Sequence, residues 1–339
     1  MTLPDFITRM PKVELHVHME GSIRPETLLK LAQRHNVPLP AEDAASLRRW
    51  YTFTDFDHFL DIYHIFARCL KTPEDIELIA REFLAGQAEQ HIHYSEATYT
   101  AYSQYKASGI PFEEQLEAIN RARDWAASEL DTHMGLTLDI SRDTSPEEGE
   151  TLAGWAVSGM GRGVTALGIG GPEIGNPPSK FARAFAVARE AGLPVVPHAG
   201  EVGGSESMWD AIRTTNPVRI GHGVRCLEDL ALVEYLRERH IPLEVCPTSN
   251  VCLKVVPDLA SHPLPKLMQA GLVVPLNSDD PPMFNTTLTE EYLKCAAGFG
   301  WDNDTVIGLV MTALEVSLLP EPRKSALRTR MEAEFANLA

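Results

Sequence analysis

The run Val13-Glu14-Leu15-His16-Val17-His18-Met19 reads as a short buried strand with two imidazoles near its C-terminal end. Residues i and i+2 of a strand share a face, so His16 and His18 are expected to point the same way. Near-continuous apolar runs of this kind fit parallel strands covered on both faces. The same character recurs at Ile92–Tyr99, Met134–Ile140, Val164–Ile169, Leu193–His198, Val218–His222, Ile241–Cys246 and Leu272–Asn277. Most of these runs are followed by an amphipathic stretch, as at Phe112–Glu129, Ser179–Ala191 and Leu227–Arg239. Alternation of strand and helix predicts a parallel α/β sheet. Eight such units predict a closed (β/α)8 barrel of the TIM type. A helical insertion, roughly Pro25–Gln90, separates the first two strands, and the tail from Thr286 onward also reads as helical. Barrels of this size form one domain, so residues 1–339 are expected to be a single unit.

Composition narrows the function classes. The chain is 44% hydrophobic and 23% charged, ordinary for a soluble globular protein. Its formal charge of −17 argues against a nucleic-acid partner, because phosphate-backbone binders carry basic surfaces. Five cysteines (Cys69, Cys226, Cys246, Cys252 and Cys295) form no CxxC pair and read as reduced thiols. Residues 1–10 lack the apolar core of a signal peptide, and no apolar run has membrane-spanning length. A cytoplasmic protein with no membrane partner is the default expectation, with a homo-oligomer left open.

In a (β/α)8 barrel the chemistry sits at the C-terminal ends of the strands. The first run ends in His16-Val17-His18, the fifth in His198-Ala199-Gly200-Glu201, the sixth in Gly221-His222-Gly223 and the eighth in Asn277-Ser278-Asp279-Asp280. Three histidines and a carboxylate fit a Zn2+ site with water completing the coordination. Each piece alone is weak; their joint placement at one rim carries the argument. The pair His91 and His93 lies at the opposite end of its strand and reads as structural. The fourth run, Val164 to Gly170, carries no Lys or Glu to bridge two metals, so one metal is expected.

The opening Pro11-Lys12-Val13-Glu14-Leu15-His16-Val17-His18-Met19-Glu20-Gly21-Ser22 resembles that of the adenosine/adenine deaminase family of the amidohydrolase superfamily. The runs His198–Glu201, Arg219–Gly223, Glu244–Asn250 and Ser278–Pro281 match the same family in order. The resemblance implies His16, His18, His198 and Asp279 as ligands of one Zn2+ and His222 as the group beside the attacking water. It implies Glu201 as proton donor to purine N1, Asp280 as partner of N7 and the Gly171 N–H as partner of N3. A protonated Glu201 needs a dry pocket. The expected partner is therefore a small 6-aminopurine, deaminated with release of ammonia.

The choice among 6-aminopurines turns on the residues of the sugar side. Glu20 stands where adenosine deaminases of the family carry an Asp that reaches the ribose. Adenine deaminases carry Glu there, and a run like Pro177-Pro178-Ser179-Lys180-Phe181. Gly221, however, resembles the nucleoside enzymes, and its missing side chain is expected to leave room for an N9 substituent. The mixture points to 6-amino-6-deoxyfutalosine, a menaquinone-pathway nucleoside with a far-end benzoate, with adenosine and adenine as alternatives. Arg24, Arg68 and Lys180 are candidate partners of that carboxylate. Two other classes stay open: a zinc hydrolase of amides or cyclic imides, and a binding protein on a deaminase scaffold.

Overall fold

The computed structural model describes residues 1–51 and 56–338. Seven parallel strands pair in chain order: β1 (Lys12–His18), β2 (Ile92–Tyr99), β3 (His133–Ser141), β4 (Val164–Gly170), β5 (Val195–Ala199), β6 (Ile220–His222) and β7 (Leu243–Glu244). Strands β1 and β2 are buried along their whole length, as expected for a sheet coated by helices. The structure is a nearly closed TIM-type barrel.

The expected eighth strand, Leu272–Asn277, is extended but does not form a regular ladder. It closes the barrel by single bridges, Val245 to Leu276 and Val17 to Asp279. The reason is local chemistry. Pro275 has no N–H to give. The β1 strand carries a register shift between Glu14 and Val17. There Asn277 Oδ1 replaces a backbone carbonyl, accepting from Leu15 N at 2.8 Å and His16 N at 3.0 Å. Below it Asn277 N donates to Val245 O at 2.9 Å, and above it Asp279 N donates to His16 O at 3.1 Å. Irregularity of this kind re-aims side chains next to active sites. The seam where sequence periodicity fails is thus the place where His16 and Asp279 are joined.

The insertion after β1 contains helices Pro25–His35, Ala44–Trp50, Phe56–Cys69 and Pro73–Glu89. Part of the predicted insertion, residues 52–55, lies outside the described residues. The C-terminal helices are Leu288–Phe299, Asn303–Val316 and Glu321–Leu338. The last of these packs under the N-terminal ends of the strands. Phe335 stacks on Phe6 at 6.2 Å, and Glu334 Oε2 meets His93 Nε2 at 2.8 Å. His93 is therefore a structural residue at the end of the barrel away from the catalytic rim. No described helix is long and apolar enough to cross a membrane. The described cysteines are all free thiols.

The seam generates a stability prediction. Asn277→Ala leaves two buried N–H groups without acceptors, each costing about 1–3 kcal/mol. Urea unfolding should show a loss of roughly 2–6 kcal/mol. Parental stability would mean that the Asn277 side chain does not hold the seam.

Candidate active site

The C-terminal ends of the strands open into one cavity. His18, Glu20, Asp139, Gly171, His198, Glu201, His222, Asp279 and Asp280 all line it. His16 lies just beneath, its ring centroid 4.5 Å from that of His198 and 4.8 Å from that of His222. The fold therefore brings every sequence-predicted site residue to one place.

The donor atoms converge. Asp279 Oδ1 stands 3.2 Å from His18 Nε2 and 3.5 Å from His16 Nε2, and His18 Nε2 stands 3.2 Å from His198 Nε2. Donors sharing a tetrahedral zinc at ~2.0–2.1 Å stand roughly 3.4 Å apart. The spacing fits such an ion. The partners behind the donors fit too. His16 gives its Nδ1 to Glu244 Oε2 at 2.8 Å, while His16 Nε2 is buried with no hydrogen-bond partner among the described residues. A carboxylate on one imidazole nitrogen fixes the tautomer and leaves the other lone pair for a metal. The donor field is broader than the predicted four. His16–His198–His222, His16–Cys246–Asp279, His18–Asp279–Asp280 and Glu201–His222–Asp279 each bring three donor atoms within 4.8 Å of one another.

Local backbone places these groups. His222 and Asp279 both take left-handed conformations, φ 59° and φ 67°. Such strain in non-glycine residues persists only where surrounding contacts over-determine it, and it clusters at active sites. Gly171 follows β4 at φ 92°, with nothing closer than 3.6 Å to a hypothetical Cβ. Its need for glycine is conformational, and its backbone faces the cavity.

Electrostatics divides the carboxyls. Burial, then the charge of Asp279, pushes Glu201 well above the usual carboxylate range. The same two causes push Asp280 up to about 8. Asp280 Oδ1 also accepts from Tyr63 Oη at 2.5 Å. Glu20 accepts from Thr100 N at 2.8 Å and Thr100 Oγ1 at 2.6 Å through Oε1. Its other oxygen, Oε2, is buried without a partner among the described residues.

Several residues of the site were not found by reading the chain. Asp139, at the end of β3, has Oδ2 3.6 Å from His198 Nδ1 and is pushed by burial up to about 7. Its signal was a lone carboxylate inside an apolar strand. Glu244 is shared between His16 and Arg219, whose Nε lies 2.5 Å from Glu244 Oε1. Arg219 also pairs with Glu96, so a buried cation sits between two buried carboxylates. Glu173 accepts from Gly200 N at 2.7 Å, Val202 N at 2.9 Å and Gly203 N at 2.6 Å, which anchors the loop of Glu201.

Two sequence readings need correction. A Cβ on Gly221 would lie 2.7 Å from His16 Cε1, beneath the metal donors. The glycine packs against the His16 ring and does not itself line the cavity. Nor do Arg24, Arg68 or Lys180 line the cavity. Arg24 lies 3.7 Å from Glu89, Arg68 is exposed, and Lys180 Nζ donates to Arg142 O at 2.8 Å. Among the described residues no lysine or arginine lines the cavity.

Comparison with known proteins agrees with this geometry. Residues 11–334 match the family model described as Adenosine deaminase. The chain is 39% identical over 336 residues to the aminodeoxyfutalosine deaminase of Streptomyces avermitilis, covering 98% of this chain and 94% of that one. It is 36% identical over 323 residues to the adenine deaminase of Wolinella succinogenes, covering 95% and 97%. Its fold is similar to that of an amidohydrolase from Burkholderia ambifaria solved with bound Zn, with a TM-score of 0.92, 27% identity and coverage of 100% and 94%. With a match across nearly its whole length, the chain belongs to the adenosine deaminase family.

Proposed function

We propose that this member of the adenosine deaminase family, a hydrolytic purine deaminase, works with one Zn2+ held by His16, His18, His198 and Asp279. The observation that carries the reading is convergence: one cavity is lined by the metal-type donors and by Glu201, His222 and Asp280. When bound, zinc supplies the Lewis acidity that makes a water nucleophilic near neutral pH. The protein does the rest. Glu201, neutral in its buried position, donates a proton to purine N1, which makes C6 electrophilic. Asp280 in its protonated form donates a hydrogen bond to the acceptor N7. The Gly171 N–H meets N3, and His222 faces the reacting oxygen. As water adds at C6, one of its protons returns to the Glu201 carboxylate, which passes it to the amino nitrogen; ammonia then leaves as the remaining hydroxyl proton goes back to Glu201, and the 6-oxopurine keeps the proton on N1. Amide or imide hydrolysis uses neither ring-nitrogen partner, and a binding protein needs no buried acid.

For the substrate we propose 6-amino-6-deoxyfutalosine first, supported by the 39% identity to a deaminase of that compound over 98% of this chain. Adenine and adenosine are the alternatives, and the 36% identity to an adenine deaminase keeps adenine in play. Glu20, with one free oxygen, takes a hydroxyl or N–H of the substrate. Recognition of the benzoate falls to the exposed rim imidazole of His64 and to Ser103, in place of an arginine or lysine.

Glu201→Gln should retain zinc and fold while losing about 10²–10⁴ in kcat, the span of general acid catalysis. Turnover like the parent's would remove Glu201 as the acid. On one preparation, kcat/KM for aminodeoxyfutalosine should exceed that for adenosine and adenine by at least about tenfold, or ~1.4 kcal/mol. A lead for free adenine would overturn the substrate assignment and leave the reaction class standing.

A further inference from the structure

His222 is not isolated at the rim. Its Nδ1 meets Asn250 Nδ2 at 3.4 Å, and Asn250 Oδ1 meets His262 Nε2 at 3.1 Å. His262 Nδ1 in turn accepts from the Leu264 backbone N–H at 3.0 Å. All three side chains are buried, His222 at 1%, Asn250 at 0% and His262 at 3% exposure.

The direction of every bond in this chain follows from its last member. A backbone N–H can only donate. His262 Nδ1 therefore carries a lone pair, and the proton of the neutral ring is on Nε2. Burial supports the neutral form, holding His262 down at about 4. His262 Nε2–H donates to Asn250 Oδ1, so the amide cannot be flipped without setting two donors against each other. Asn250 Nδ2–H then donates to His222 Nδ1. With its Nδ1 lone pair used, neutral His222 must carry its proton on Nε2. That Nε2 points into the site, 3.7 Å from Glu201 Oε2 and 3.9 Å from Asp279 Oδ2.

We infer that Asn250 and His262 are positioning residues that hold His222 as an Nε2–H donor toward the reacting oxygen. The inference rests on the deaminase reading for what lies at that oxygen. It has two consequences. An Nε2–H cannot ligate a metal, so His222 stands outside the ligand set although it lies among the donors. His16 is the opposite case, since its Nδ1 faces a carboxylate and its Nε2 is bare. And His222 enters the reaction as a hydrogen-bond donor to developing charge, not as the base that takes the water proton.

The test uses zinc-loaded full-length protein labelled with 15N-histidine, with His222→Ala identifying the His222 ring signals. The parent should show His222 protonated at Nε2 and bare at Nδ1. In Asn250→Leu and His262→Leu that fixed tautomer should be lost. Their kcat should fall about tenfold or more, short of the ~10²–10³ typical for removing an oxyanion donor, with KM within about twofold and zinc content unchanged. His262→Gln keeps a donor toward Asn250 and an acceptor toward Leu264, and should keep most of kcat. An Nδ1–H tautomer in the parent, or parental kcat in His262→Leu, overturns the inference. So do equal losses in the Leu and Gln variants. If the parent releases no ammonia from any 6-aminopurine, the deaminase reading fails while the tautomer measurement still decides the relay.

Discussion

Buried charge is the constraint on which this structure turns. Glu14, Glu20, Glu96, Asp139, Glu201, Glu244, Asp279 and Asp280 all lie on or beside the barrel strands, nearly cut off from solvent. Ionised carboxylates in such a place must be paired, hydrogen-bonded or neutralised. The molecule uses each solution. Arg219 sits between Glu96 and Glu244. Glu14 accepts from Ser278 N at 3.1 Å, Ser278 Oγ at 2.5 Å and Gln87 Nε2 at 2.8 Å. Glu201 and Asp280 are pushed toward their neutral forms. Asp279 lies among the imidazoles of His16, His18 and His222. The division into ionised and protonated carboxyls is also the division of labour that the proposed deamination requires.

The scaffold keeps these roles apart through its least regular segment. The eighth extended segment gives up ladder hydrogen bonds, and Asn277 replaces them with side-chain contacts to the register shift in β1. That arrangement sets Asp279 against His18 by a reciprocal backbone pair, with Asp279 N to His16 O and His18 N to Asp279 O. Glu244 then orients His16 from behind, and Glu173 anchors the loop of Glu201.

Much of this was legible in the chain because strand-end chemistry survives uncertainty in strand boundaries. The strands expected at Val218–His222 and Ile241–Cys246 are shorter in the structure, Ile220–His222 and Leu243–Glu244, yet His222 still ends its strand. The stretch expected as one helix over Ser179–Ala191 divides into a 3-10 turn, Pro178–Phe181, and a helix, Ala182–Glu190. Legibility stopped where a role depends on long-range contact. Glu244 meets His16 across 228 positions and Glu14 meets Ser278 across 264. Gly221 shows the same limit. Its identity suggested space on the substrate side, while its Cβ direction points at the His16 ring. Spacing along a strand predicts which groups share a rim; it does not say what stands behind them.

The proposed deamination depends most on a single bound zinc. Metal analysis of the purified chain, paired with ammonia release before and after chelation, tests it directly. One zinc per chain is predicted, with activity lost on its removal, regained on adding zinc back, and absent in a His16→Ala variant that no longer retains the ion. A metal-free chain that deaminates at the full rate, or a stoichiometry of two, would contradict it.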